Sequence, residues 1–469
     1  MSGRGFPLGG GAVAAFALLA GCAGVTPDGG FDAVAQRAQE RGGLSPRIVM
    51  NETDARAVAD TTRALLARPL DMEGAVRIAL LNHPGLQASY WKVGIAQADL
   101  AQAARLQNPA FGFKRMAGGG EVEIERSLGF NLVQALTLPL ARRVESGRFE
   151  GVKLAVGAGI ERHAVETRRA WTDAVAAIQG LDYARRVHAA AEASAELRGR
   201  MARSGNASRL DLAREQVFQA EAAAAVARAA QHAVATREQL TRLLGLWGDD
   251  TAFTLPERLP DLPAAPVDLP DLERRALAQR LDVAAARQDA AAMASSLGLS
   301  RTTRFVNVLE LGAARKSETG MPAERGYEVS IELPLFDWGG ARSARAEALY
   351  MQSLRQVAAT AVDARSQARE RYLGYRAAWD LARHYRDEVI PLRKRISQET
   401  LLRYNGMLAS SFELLTDARE QAGAVNATIE ALQAFWRAHA DLEEAIGGRV
   451  VHAAHAAPAT ASPHKEHAE

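Results

Sequence analysis

Few residues of this chain stand in patterns that do chemistry. It holds one cysteine, Cys22, so neither a disulfide framework nor a multi-cysteine metal cage is available. Four of its ten histidines lie in the last eighteen residues: His452, His455, His464 and His467. The spacing His464-x-x-His467 suits a divalent cation, but the flanks are Ala, Pro, Thr and Ser, the composition of a disordered tail. No metal or other cofactor is therefore expected. No P-loop, dinucleotide fingerprint, HExxH or GxSxG stands where strand and helix context would support it, so the chain is not expected to be an enzyme. Its 57 Lys+Arg against 55 Asp+Glu leave a net charge of +2, without the basic excess of a nucleic-acid partner.

Cys22 has a context of its own. Residues Gly11–Ala20 form a ten-residue apolar stretch after Arg4, the length of a signal-peptide core. It runs into Leu19-Ala20-Gly21-Cys22, which resembles a bacterial lipobox, whose cysteine is lipidated and becomes the first residue of the mature protein. Ala23 rather than Asp follows, so nothing opposes sorting to the outer membrane. An ordinary signal peptide with a coincidental cysteine is the plainer alternative. Several acyl chains anchor firmly, because each buried CH₂ contributes about 0.8 kcal/mol.

The remainder of the 469 residues repeats. Leu138-Pro139-Leu140 returns as Leu333-Pro334-Leu335, Gly205 as Gly406 and Gly245 as Gly447, at offsets of 195, 201 and 202. Ordered, slowly drifting offsets are what two diverged copies produce. The expected organisation is a lipoprotein signal peptide (1–21), an N-terminal extension (22–69), a first repeat (70–247; helix, β-hairpin, long helical hairpin), a Pro-rich linker (248–270), a second repeat (271–447) and a disordered His-containing tail (448–469). The linker carries five prolines, Pro256, Pro260, Pro263, Pro266 and Pro270, and cannot be helical throughout.

Each repeat has a segment with period two. Val122, Ile124, Leu128, Phe130, Leu132, Leu136, Leu138 and Leu140 share one parity, with Glu121, Glu123, Glu125, Ser127, Asn131 and Thr137 on the other. Tyr327, Val329, Ile331, Leu333 and Leu335 alternate with Glu328, Ser330 and Glu332. Such alternation puts the two sets on opposite faces of a strand, here read over 122–140. Shorter partner strands are expected at Ala110–Met116 and Arg304–Gly312, with turns at 118–120 and 316–325. Arg126 and Gln134 sit on the apolar parity; Arg126 fits poorly at mid-membrane, so either it lies near an interface or the alternation is misread there. No stretch reaches the ~18 apolar residues of a membrane-spanning helix, whereas a transmembrane barrel raises no hydropathy peak. A water-soluble hairpin packed on helices is the bland alternative.

The helices are long. From Ala141 to about Arg203 there is no proline, and ~60 residues at 1.5 Å each span roughly 90 Å. A second run from Ala341 to about Asn405 is broken only by Pro391, which should kink it. Leu415, Ala418, Ala422, Val425, Ile429, Leu432 and Trp436 keep the 4-3 spacing of a coiled-coil seam. Leu210, Ala213, Val217, Ala220, Ala224 and Ala227 repeat it with smaller residues, so that stability should depend on neighbouring chains. An ordinary helical bundle with core alanines is the alternative. Gly205 and Gly406 mark the turns, where positive φ favours glycine.

Over residues 70–447 the chain resembles the TolC-type outer-membrane efflux channels, in their lipid-anchored branch. The resemblance is carried by Leu70-Asp71-Met72-Glu73-Gly74-Ala75-Val76-Arg77-Ile78-Ala79-Leu80 with Asn82-His83-Pro84-Gly85-Leu86, by Glu332-Leu333-Pro334-Leu335-Phe336-Asp337, and by Arg403-Tyr404-Asn405-Gly406 leading to Phe412-Glu413-Leu414-Leu415. It implies a mixed α+β membrane protein, with a long α-helical coiled-coil tunnel and a transmembrane β-barrel shared among three chains. Twelve strands would close the barrel, four from each chain of a homotrimer. It also implies a Gram-negative outer-membrane location extending into the periplasm, and a periplasmic adaptor (membrane fusion protein) and inner-membrane pump as partners, beside outer-membrane lipid. On this basis Glu121, Glu123, Glu125, Glu328 and Glu332 are candidate lumen residues. Gly205, Gly406 and Arg403 are candidates for adaptor contact at the periplasmic tip, and Asp211, Glu413 and Asp417 for a gate. A solvated strand face and helix N-terminal acids favoured by the macrodipole explain the same carboxylates without a function. The expected function is passage of small-molecule or ion cargo from periplasm to exterior. The alternative is a periplasmic coiled-coil adaptor or structural lipoprotein, which should show one hairpin flanked by small β domains rather than two hairpins.

Overall fold

The computed structural model describes residues 24–305 and 308–450; Cys22 and the four tail histidines lie outside them. The protein is mostly helical, with one small antiparallel sheet. In chain order the elements are α1 (Asp32–Gly42), α2 (Glu52–Leu66), α3 (Met72–Asn82), α4 (Pro84–Ala103), β1 (Ala110–Gly118), β2 (Glu121–Asn131), α5 (Leu132–Arg203) and α6 (Arg209–Leu244). They continue with α7 (Leu272–Gln279), α8 (Leu281–Thr302), β3 (Leu309–Glu318), β4 (Glu324–Ile331), α9 (Gly340–His384), α10 (Ile390–Asn405) and α11 (Ser411–Ile446). No described helix is long and apolar enough to cross a membrane.

The chain divides into two compact units. The first comprises Ala88–Val156 and Asp282–Thr360 with the described residues up to Val34. It holds the sheet, in the order β1-β2-β3-β4 with every neighbour antiparallel. The second comprises Ala35–Gln87, Gly157–Leu281 and the residues from Ala361 onward. Its core is built from facing helices around Trp171, Val175, Leu240 and Leu244, and around Tyr375, Phe435, Leu442 and Ile446. The Pro-rich segment is strapped to these helices: the Trp379 indole N–H donates to Pro263 O and the Trp436 N–H to Pro260 O, each at 3.0 Å. Leu259, Leu262 and Leu269 from that segment are buried.

Glycine closes corresponding corners. Gly245 (φ 67°) and Gly447 (φ 66°) cap α6 and α11 in the left-handed region. A Cβ on Gly245 would lie 2.8 Å from the Cα of His83, between α3 and α4, and one on Gly447 would lie 2.9 Å from the Cα of Arg280, between α7 and α8. Only a residue without a side chain fits both the φ and the approach.

Two expectations are corrected. First, the strand read over 122–140 ends at Asn131, and Leu132–Leu140 already belongs to α5. Leu132, Leu136 and Leu140 are four apart as well as even-spaced, so the same residues satisfy a helical stripe. The Asn131 side chain accepts from Gln134 N at 3.0 Å and starts the helix. Likewise β4 ends at Ile331, before Glu332, Leu333 and Leu335, and β3 begins at Leu309 and runs to Glu318, into the stretch expected to turn. Second, Gly406 has φ −81°, and Met407, at φ 60°, takes the left-handed position. The small-residue stripe Leu210, Ala213, Val217, Ala220, Ala224 and Ala227 is exposed on α6, as is Ala418 of the second stripe, so neither is covered within one chain among the described residues. Upstream of Pro391, residues Tyr385–Val389 form a wider π turn, with Ile390 N bonded to Tyr385 O. That is the local distortion a proline without an N–H imposes.

Candidate functional site

The first candidate site is the sheet. Residues directly opposite in an antiparallel pair share a face, so the register assigns both surfaces. Phe111 faces Leu128, which faces Ala313, which faces Tyr327; Phe130 faces Leu311, which faces Val329; and Leu309 faces Ile331. This continuous apolar face is uncovered: Phe111 is 68%, Leu128 52%, Tyr327 84% and Val329 55% exposed. Arg126 lies on it, opposite Arg315, which lies opposite Arg325. The sequence exposed the parity of Arg126 but not its two companions, because only the register between distant segments reveals the row.

The opposite face is polar. It carries Glu121, Glu123 and Glu125 from β2, Glu310 and Glu318 from β3, Glu324 and Glu328 from β4, and only two lysines, Lys114 and Lys316. Lys316 lies 3.4 Å from Glu123 and 3.8 Å from Glu318. Glu332 lies one residue past β4, with its N–H bonded to Val308 O at 3.2 Å. Strands β1 and β4 have no further strand beside them among the described residues, which leaves two open edges. Open edges and an exposed apolar face are not stable in isolation.

The second candidate site is the pair of turns joining long helices in the other unit. At the first, Gly205 has φ 79° with open space around it. Ser208 caps α6: Asp211 N donates to Ser208 Oγ at 3.0 Å, and that hydroxyl donates to Asp211 Oδ2 at 2.7 Å. At the second, Ser410 and Glu413 form a capping box, with Ser410 N donating to Glu413 Oε2 at 2.7 Å and Glu413 N to Ser410 Oγ at 3.2 Å. Both carboxylates are thus engaged in starting a helix. The two turns lie side by side. The Arg214 guanidinium stacks over Phe412, and that of Arg419 over Phe218, each at 4.8 Å, and Arg419 also reaches Glu221 at 3.5 Å. Asp211, Glu413 and Asp417 therefore belong to one region.

Asp417 differs from the other two. It is 6% exposed, and its Oδ1 accepts no hydrogen bond. Its counterpart 202 residues earlier is Glu215, equally buried, which accepts from Ser194 Oγ at 3.0 Å. Where that serine would recur stands Ile396. Arg403 is exposed, as are Leu402, Met407, Leu408 and Phe412 around the second turn. Sequence reasoning missed the Arg–Phe stacks and the buried Glu215; the equal offset to Asp417 was the signal available for the latter.

No family model matches the chain, and neither does any curated protein sequence. Solved structures do. The outer membrane protein VceC of Vibrio cholerae superposes with a TM-score of 0.68 at 15% identity, over 81% of this chain and 96% of that one. The Campylobacter jejuni CmeC outer membrane channel gives 0.67 at 16% identity, over 80% and 85%. The Neisseria gonorrhoeae MtrE outer membrane channel in its open state gives 0.67 at 18% identity, over 80% and 89%. The chain has the fold of the TolC-type outer-membrane efflux channels.

Proposed function

We propose that the chain is the outer-membrane channel subunit of a tripartite export system, passing small-molecule or ion cargo from periplasm to exterior. The observation that supports this most is the four-stranded sheet, with an uncovered apolar face, a glutamate-rich opposite face and two open edges. Three copies, joined β4 to β1, would close twelve strands with no edge, as lipid requires. The apolar face then meets hydrocarbon, and Glu121, Glu123, Glu125 and Glu328, with Glu332 just below, line a wet path. Seven glutamates against two lysines favour cations in that path. The exposed Leu210 and Val217 stripe of α6 packs on a neighbouring copy. The turns at Gly205 and Gly406, with Arg403, meet a periplasmic adaptor that links the channel to an inner-membrane pump. Asp211, Glu413 and Asp417 narrow the tunnel there. Lipidation at Cys22 anchors the chain in the outer membrane.

The test is direct. Protein purified in detergent has the mass of a trimer and conducts across a planar bilayer, with a reversal potential of the cation-preferring sign under a salt gradient. A monodisperse monomer without conductance refutes the reading. Cys22→Ser loses incorporation of labelled fatty acid and still conducts.

A further inference from the structure

Within the unit that holds the sheet, the start of α5 and the middle of α8 enclose a groove of about 530 Å³. Arg142, Arg143, Ser146 and Gly147 line one wall, and Gln288 and Ser295 the other. Gly147 permits the approach: a Cβ there would lie 3.2 Å from that of Ala292, and Gln288 Nε2 donates to Gly147 O at 3.3 Å. The carboxylates nearest in sequence are already matched. Glu145 pairs with Arg148, and Glu150, which lines the groove, with Lys153, each at 2.5 Å. Arg142 and Arg143 make no ion pair among the described residues, and both are exposed. Two neighbouring guanidiniums outside any ion pair, beside a hydroxyl and an amide, and with the lining carboxylate of Glu150 already held by Lys153, match the oxygens of a phosphate.

The position along the chain says where that phosphate comes from. From Asn131 to Arg142 is eleven residues of helix, about 16 Å. Both arginines therefore lie just past the strand end that the channel reading puts at the edge of the hydrocarbon, where backbone outside a strand is allowed. The residues that follow the strands inside this interval are apolar and exposed: Leu136 at 70%, Leu333, Leu335 and Phe336.

We propose that this groove binds a phosphate-ester group at the headgroup level of the membrane, held by Arg142 and Arg143 with hydrogen bonds from Ser146 and Gln288. The headgroup source rests on the channel reading above; the phosphate chemistry of the groove does not.

The test uses the full chain in phosphatidylcholine nanodiscs, titrated separately with dihexanoyl phosphatidylglycerol and with inorganic phosphate, and followed by native mass spectrometry and thermal shift. Saturable binding of the anionic lipid, weakened tenfold or more in R142Q/R143Q and partly kept in R142K/R143K, supports the site. The control R56Q/R63Q removes the same charge from exposed α2 and leaves binding unchanged. Inorganic phosphate bound as tightly, with the same dependence on the arginines, supports the site with free anion as its source. Binding indifferent to R142Q/R143Q, or weakened equally by the control, overturns the proposal. Conductance of the same samples separates the two readings. Conducting trimers without arginine-dependent binding remove the site alone, and arginine-dependent phosphate binding by a non-conducting monomer removes the channel alone.

Discussion

Replacing Val329 with arginine puts a charge where the sheet is to meet hydrocarbon. Val329 lies opposite Leu311, which lies opposite Phe130, in the middle of the apolar face. It is four residues from Arg325, about 13 Å along the strand, or roughly 10 Å of depth at a ~40° tilt. At that depth an arginine costs about 2–4 kcal/mol in each copy, which is roughly 30- to 700-fold in the folding equilibrium. Its neighbour Glu328 points the other way, so Glu328→Arg should change stability by no more than about 0.5 kcal/mol while moving ion preference toward anions. Denaturant unfolding in phosphatidylcholine vesicles reads the first effect, and the reversal potential in a salt gradient the second. If Val329→Arg unfolds at the wild-type midpoint, or Glu328→Arg costs as much, the assignment of faces is wrong and the channel reading goes with it.

Gly447→Ala meets both a left-handed φ, about 1–2 kcal/mol, and backbone at 2.9 Å, about 1–3 kcal/mol more; Gly205→Ala, with open space around it, meets only the first. The difference between their denaturation midpoints measures the close approach at the α11 cap. Arg168 and Glu443 form an ion pair at 3.2 Å, each 7% exposed. Burial outweighs the pull of Arg168 and holds the Glu443 carboxyl above its ordinary pKa, and Arg168 keeps Glu73 at 3.5 Å, so Glu443→Gln should cost about 1–3 kcal/mol, and R168M/E443M should recover most of it in the same unfolding assay. Burial holds His83 below its ordinary pKa of 6.5, helped by the adjacent His163 ring 4.4 Å away, and burial does the same to His163. The unfolded chain therefore takes up protons that the native state resists, so stability is full above about pH 6.5 and falls as the pH drops below it. His83 Nδ1 also accepts from Leu86 N, which a protonated ring cannot do. Thermal unfolding should show a lower midpoint at about pH 5.5 than at about 7.5, with a smaller drop in His83→Asn.

Local sequence signals carry the structure where the structure itself is local. Period two, read over 122–140 and 327–335, put glutamates and apolar residues on opposite faces of the strands that form at 121–131 and 324–331, and the helix N-terminal acids Asp211 and Glu413 meet serine caps, Ser208 and Ser410, that a few adjacent residues fix by themselves. Boundaries failed where one spacing serves two structures. Leu132, Leu136 and Leu140 fit a strand face or a helix stripe, and the Asn131 cap decided for the helix. The left-handed residue fell on Met407 rather than Gly406 because the turn geometry, not the residue with the most freedom, fixed its place.

The sequence alone determined that the chain has alternating β segments, long proline-poor helices and no span for a helical membrane crossing, since each is a property of neighbours along the chain. Tertiary structure decided that β2 and β3 pair, that Arg126, Arg315 and Arg325 form one row, and that Arg214 covers Phe412. Val122 and Thr319 exchange hydrogen bonds across 197 residues. Such a bond follows from which strand edges the fold brings within reach, and no run of adjacent residues carries that information.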